Sequence, residues 1–196
     1  KNCTNRGKVY VKSGATISGK FKIGGIFGTG ALNMLNSHNY GIVECEVGSK
    51  TGETDIGGLF GTGLCQTIGG TKYTAVVSDC SNNGAVIFGA SNPTATASEA
   101  FRFGGISGYT QSSLTRCINN GKLTLCGTRN LKSRSNSTTT NKYRNGTYLV
   151  GGIVGYNHNY YDDPDPAIIH HCYNIGSVSG YTVGGIVGYA VQKMGS

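Results

Sequence analysis

The sequence predicts an all-β fold, a parallel β-helix (β-solenoid) of about five coils with three short strands per coil and loop insertions. Three observations predict it. Glycine supplies 33 of 196 residues, more than double its usual ~7%. Two short motifs alternate five times along the chain. Apolar residues after one of those motifs alternate with period two, the period of a strand.

The first motif is Gly-Gly-Ile/Leu-x-Gly. It starts at Gly24, Gly57, Gly104, Gly151 and Gly184, with spacings of 33, 47, 47 and 33. An alternating aromatic or apolar pair usually precedes it: Phe21/Ile23, Phe101/Phe103, Tyr148/Val150 and Tyr181/Val183, with the weaker Thr54/Ile56 in the second copy. The second motif is Cys-x-Asn-x-Gly-x-Val/Leu, at Cys3, Cys80, Cys117 and Cys172, with Ser37 in the cysteine place of one copy. An apolar residue stands three places earlier: Met34, Val77, Leu114 and Ile169.

Each element follows from these residues. Val9/Val11, Val43/Cys45/Val47, Val86/Phe88 and Leu123/Leu125 alternate and read as strands. Asn-x-Gly ahead of each strand reads as a turn, since Asn and Gly tolerate left-handed backbone. The Gly-Gly-Ile-x-Gly run reads as a short strand where backbones approach closely. Such units cannot bury their own apolar face and stack to do so. Stacking at ~4.8 Å gives a rod of roughly 25 Å. It also places Asn5, Asn39, Asn82, Asn119 and Asn174 in one column, whose amides can hydrogen-bond along the stack.

The motif intervals locate the insertions. The longest runs from Gly127 to Gly146; others lie at Cys65–Tyr73, Asn157–Pro166 and the Ser/Thr/Ala stretch Ala90–Ala100. Residues 1–196 are expected to form a single repeat domain, part of a longer surface protein, with neighbouring domains of the same chain covering the ends of the stack.

This repeat resembles the GLUG-motif family of bacterial surface proteins over nearly the whole chain. The resemblance implies a β-helical stalk or binding segment of a secreted or cell-surface adhesin, hence an extracellular place. The family also occurs in non-catalytic regions of IgA-peptidase-type proteases. Those proteases resemble zincins with His-Glu-x-x-His, a motif this sequence lacks.

Composition narrows the partners. There are 17 Lys+Arg against 9 Asp+Glu, a formal +8, which favours anionic partners. The charge is dilute and shows neither the dense basic helix nor the aromatic sheet signature of nucleic-acid modules. No apolar run approaches the ~18 residues of a membrane helix. The expected partner is a host surface glycan or protein of anionic character, without nucleic acid or direct membrane insertion.

Candidate site residues are weighed against structural roles. Arg129, Lys132, Arg134, Lys142 and Arg144 crowd one insertion without an acid; they suit an anionic glycan or a solvated loop. Tyr109, Tyr156 and Tyr189 follow three Gly-Gly motifs at one offset, where Thr29 and Thr62 stand earlier. They suit a strip that packs sugar rings, or an internal stack. Asp162, Asp163 and Asp165 share one loop and suit Ca²⁺, a hard cation that takes oxygen ligands, or plain solvation. No other cofactor is expected.

The cysteine column reads as reduced core, with a Cys80–Cys117 bridge as the alternative. Cys45, level with Val11 and Leu125, also reads as core. His170-His171 beside Cys172 do not make a nucleophile pair, since strand neighbours diverge. The sequence therefore favours a non-enzymatic adhesin repeat. A polysaccharide lyase or hydrolase and a passive spacer remain the alternatives, and a hydrolase would need convergent carboxylates.

Overall fold

The computed structural model describes residues 1–31, 33–50, 53–93, 101–126, 148–158, 166–180 and 182–191. The described chain is all-β, and its strands form five parallel sheets and one antiparallel hairpin. In every parallel sheet the neighbour of a strand is its equivalent one repeat along. This is the pairing that like residues at like positions dictate.

The asparagine sheet comprises Thr4–Asn5, His38–Asn39, Ser81–Asn82, Ile118–Asn119 and Tyr173–Asn174. The long-strand sheet comprises Val9–Ile17, Val43–Lys50, Val86–Pro93 and Leu123–Cys126. The phenylalanine sheet comprises Phe21–Gly24, Thr54–Gly57, Phe101–Gly104, Tyr148–Gly151 and Thr182–Gly184. The tyrosine sheet comprises Phe27–Gly30, Phe60–Gly63, Ser107–Thr110, Val154–His158 and Val187–Val191. The fifth, short sheet comprises Met34–Leu35, Val76–Ser78, Ser113–Thr115 and Ile169–His170.

A repeat thus contributes up to five strands, not the three expected. The reason is local. Bends at the Gly-Gly pair split one apolar run between the phenylalanine and tyrosine sheets. The residue before each Cys or Ser splits another. Asn2, Asn36, Asp79, Arg116 and His171 all have positive φ, between 48° and 58°. They fall at one repeat position, so a left-handed corner is built five times from non-glycine residues, each at roughly 1–2 kcal/mol of backbone strain.

The glycines of Asn-x-Gly have a different reason from the one expected. Gly7, Gly41, Gly84, Gly121 and Gly176 are not among the positive-φ residues. A Cβ on Gly41, Gly84, Gly121 or Gly176 would fall closer than 3.0 Å to the carbonyl of the corresponding glycine one repeat earlier. Close stacking, rather than turn conformation, requires glycine there.

The core lies in two main parts. Ile23, Val43, Cys45, Ile56, Val86, Phe88, Phe101, Phe103, Leu123 and Val150 pack between the long-strand and phenylalanine sheets. A second cluster joins the tyrosine and short sheets through Leu59, Phe60, Val77, Ile106, Leu114 and Ile153, together with Cys80 and Cys117. Cys45 pairs in register with Val11 and Phe88, as core. The Cys65–Tyr73 insertion contains a hairpin, Gln66–Ile68 against Thr71–Tyr73. Its turn residues Gly69 and Gly70 both have positive φ, the requirement of a two-residue hairpin turn.

Candidate functional site

Three columns of side chains run from repeat to repeat, and each begins from a sequence motif. The asparagine column stands in register as Asn5, Asn39, Asn82, Asn119 and Asn174. Each Nδ2 donates to the Oδ1 of the next asparagine at 2.8 Å. Each also donates to the carbonyl of the glycine two residues on, at 2.8–2.9 Å. For Asn39 and Asn119 the Oδ1 in turn accepts from that glycine's N–H. Their four amide hydrogen-bonding positions are then filled, which a fully buried amide needs.

The second glycine of each Gly-Gly pair closes on this column. A Cβ at Gly25, Gly58, Gly105 or Gly152 would lie closer than 3.0 Å to the side chain of Asn39, Asn82, Asn119 or Asn174, respectively. The two motifs are therefore halves of one contact.

The second column is a seam of charge and aromatic rings. The middle residue of the run before Gly-Gly places Lys22, Asp55, Arg102 and Leu149 in register. Asp55 is fully buried. Its carboxylate meets Lys22 Nζ on one side and Arg102 Nε at 2.5 Å on the other. It also accepts the Thr62 hydroxyl at 2.5 Å. Arg102 reaches Glu53 at 3.4 Å. Burial raises the Glu53 carboxyl's affinity for its proton, but the charges of Arg102, Lys20 and Lys22 prevail and hold it below its ordinary value.

The Arg102 guanidinium lies 4.4 Å from the Tyr109 ring centroid, a cation–π contact. Tyr109 and Tyr156 stack with centroids 5.5 Å apart, as do Tyr156 and Tyr189. The Tyr109 hydroxyl bonds His158 Nδ1 at 2.8 Å and accepts from Gln111 Nε2 at 2.6 Å. Tyr109 is 9% exposed and Tyr156 4%. The ring faces of these two lie against each other and against Arg102, as in the internal stack weighed above beside a sugar-packing strip. Tyr189 is half-buried at the end of the stack.

Sequence reasoning missed Asp55, Arg102 and His158. Reading the residue before the last apolar position down the repeats gives Lys, Asp, Arg, an alternation of sign that was available. Chemically the seam is a neutralised, satisfied ion cluster that ties the first three repeats together.

The third column is Ser37, Cys80, Cys117 and Cys172, with Cys3 donating its N–H to the Ser37 hydroxyl at 3.2 Å. The Cys117 thiol donates to the Val77 carbonyl one repeat earlier at 3.6 Å, and the Cys172 thiol to the Leu114 carbonyl at 3.6 Å. Cys3, Cys45, Cys65, Cys80, Cys117 and Cys172 are free thiols. His171 does not sit in a strand but at the left-handed corner, where its ring lies 3.7 Å from that of His170.

Arg129, Lys132, Arg134, Lys142 and Arg144 lie outside the described residues, as do Asp162, Asp163 and Asp165. In chain order, the long insertions fall at two places in the repeat. Residues 94–100 and 127–147 both join a long strand to the phenylalanine sheet, in consecutive repeats. Residues 64–75 and 159–168 both join the tyrosine sheet to the short sheet.

No curated protein and no solved structure matches the chain. The family model described as the GLUG motif matches residues 146–179, a span that holds one Gly-Gly pair and the Asn-x-Gly that follows it. The same two motifs alternate through the rest of the sequence and stack in register, which is consistent with a GLUG-motif repeat family.

Proposed function

We propose that the chain is a non-enzymatic, β-helical repeat domain of a bacterial cell-surface adhesin. In this reading its five repeats are successive coils, and its insertions are presented outside the cell to a host glycan or protein. One observation carries the proposal. The repeated polar residues bind one another within the stack, as the asparagine amides do, whereas the insertions recur at two places in the repeat. That division suits a scaffold with variable loops, the usual arrangement when a rigid framework carries recognition. The five basic residues between Gly127 and Gly146 favour an anionic partner.

A glycan array with acidic polysaccharides tests this, using the wild type and a variant lacking residues 127–146. Binding that the deletion removes, with an unchanged thermal melt, supports the adhesin. Absence of binding by either protein points to a spacer. Sustained release of unsaturated products from an acidic polysaccharide in the presence of Ca²⁺ would overturn the non-enzymatic reading in favour of a lyase.

A further inference from the structure

The thiol column has a polarity. Cys80 and Cys117 are 1% and 0% exposed, whereas Cys172, in the next repeat, is only half-buried. The strand residues that follow them are paired in register, Ser81 with Ile118 and Ile118 with Tyr173. Neighbouring strands at ~4.8 Å put stacked α-carbons inside the roughly 4.4–6.8 Å range that a disulfide spans. The Cys172 thiol already reaches back to the repeat of Cys117, where it donates to the Leu114 carbonyl at 3.6 Å. By strand order Cys172 stands at the end of this column beside Cys117, whereas Cys117 also has Cys80 behind it.

We propose that Cys172 and Cys117 form an oxidation site: peroxide attacks at Cys172, and a disulfide then closes to Cys117, stapling the last two repeats. This inference does not depend on the adhesin reading. In the first step the Cys172 thiolate attacks one oxygen of hydrogen peroxide, the O–O bond breaks, and sulfenic acid and hydroxide result. In the second, the Cys117 sulfur attacks the Cys172 sulfur; the S–O bond breaks, and the Cys117 proton leaves with the hydroxyl as water. Sulfur is oxidised and peroxide is reduced, so no further reagent is required.

The electrostatics agree with this order. Cys117 beside it holds the Cys172 thiol below its ordinary value. Cys172 and burial in turn push Cys117 up. The sulfur that meets peroxide is thus the less buried one, as oxidation chemistry favours. Cys80 stands next in line to exchange into the bond at Cys117.

The test uses the whole chain, brief treatment with hydrogen peroxide, N-ethylmaleimide quenching and non-reducing peptide mapping. A Cys117–Cys172 cross-link with loss of two hydrogens is expected in the folded protein, and its yield should fall several-fold in concentrated urea. In Cys117→Ser, dimedone should instead label Cys172 as the trapped sulfenic acid. Serine suits this column, since Ser37 already occupies it fully buried, and thermal melts check that the variants fold. Cys3→Ser and Cys65→Ser should leave the cross-link unchanged. Seven maleimide-reactive thiols after peroxide, or cross-links spread evenly over the cysteines, would overturn the proposal.

Discussion

The α-carbon of Gly105 faces the side-chain amide of Asn119 so closely that a methyl group between them would fall under 3.0 Å from the amide carbon. One residue belongs to the Gly-Gly motif and the other to Asn-x-Gly. Their contact explains why the two motifs travel together. It also separates two kinds of glycine. Gly105→Ala must displace either a buried amide or the Gly152 carbonyl, and overpacking of this kind costs about 1–3 kcal/mol or more. Within the other glycine column, Gly84→Ala meets the Gly41 carbonyl, whereas the nearest atom to a Cβ on Gly7 is 3.7 Å away. Urea unfolding should show a large loss for Gly105→Ala and Gly84→Ala and a small change for Gly7→Ala.

The asparagine column has an interior and two ends. Asn82→Ala takes one of two partners from the Asn39 Nδ2 donor, which keeps the Gly41 carbonyl, and from the Asn119 Oδ1 acceptor, which keeps the Gly121 N–H, and removes the amide bonded to the Gly84 carbonyl. A loss of about 1–3 kcal/mol is expected, the range for a buried polar group deprived of a partner. Asn5→Ala, at the exposed end of the column, should cost less than half as much. Equal losses at the two positions by chemical denaturation would contradict the cumulative satisfaction of the interior amides.

The ion seam should behave as a buried pair. Asp55→Leu leaves the Arg102 guanidinium, 9% exposed, with the longer Glu53 contact and the Tyr109 ring face. The expected loss lies toward the lower end of the roughly 3–5 kcal/mol typical of a broken buried pair. Adding Arg102→Leu removes the stranded charge, so the double variant should be more stable than Asp55→Leu alone. A double-mutant cycle measures this, and strictly additive losses would count against the seam.

Glu53 sets a pH dependence. Its folded proton affinity is held below the ordinary value of 4.5, despite burial, by Arg102, Lys20 and Lys22. A depressed carboxylate stabilises the fold above its unfolded pKa and loses that contribution as pH falls through the folded value. Thermal melts should therefore drop below pH 4.5 for the wild type, and the drop should be smaller in Glu53→Gln. Added salt should narrow the difference, because Glu53 is only partly buried.

The left-handed corners offer a gain. His171 holds a φ of 50°, at ~1–2 kcal/mol of strain, while glycine there costs about 0.5–1 kcal/mol in unfolded-chain entropy. Strain wins narrowly, so His171→Gly should raise the melting temperature slightly. His171→Val should lower it, because a β-branched residue is poorly accommodated at positive φ.

Much of this was legible in one dimension. The period-two apolar residues marked the long strands, and the asparagines, cysteines and glycines fell at fixed places. Other features were not. The strand breaks between Gly24 and Phe27, and before each cysteine, depend on backbone bends that a five-residue motif does not display. The tyrosines were recognisable as a column, but their burial depends on the side chains brought against them, chiefly Arg102. The basic insertion and the aspartate loop lie outside the described residues, so the loops assigned to recognition rest on composition.

By itself the sequence determined the repeat and its all-β class, because residues of one type at one interval can satisfy each other only when stacked in register. The tertiary structure alone decided that a repeat has up to five strands and that the Asn-x-Gly glycines are there for space. It also decided that Lys22, Asp55 and Arg102 share a buried seam. Those outcomes turn on which atoms meet across 33 to 55 residues of chain, and interatomic distance is settled by packing rather than by order along the backbone.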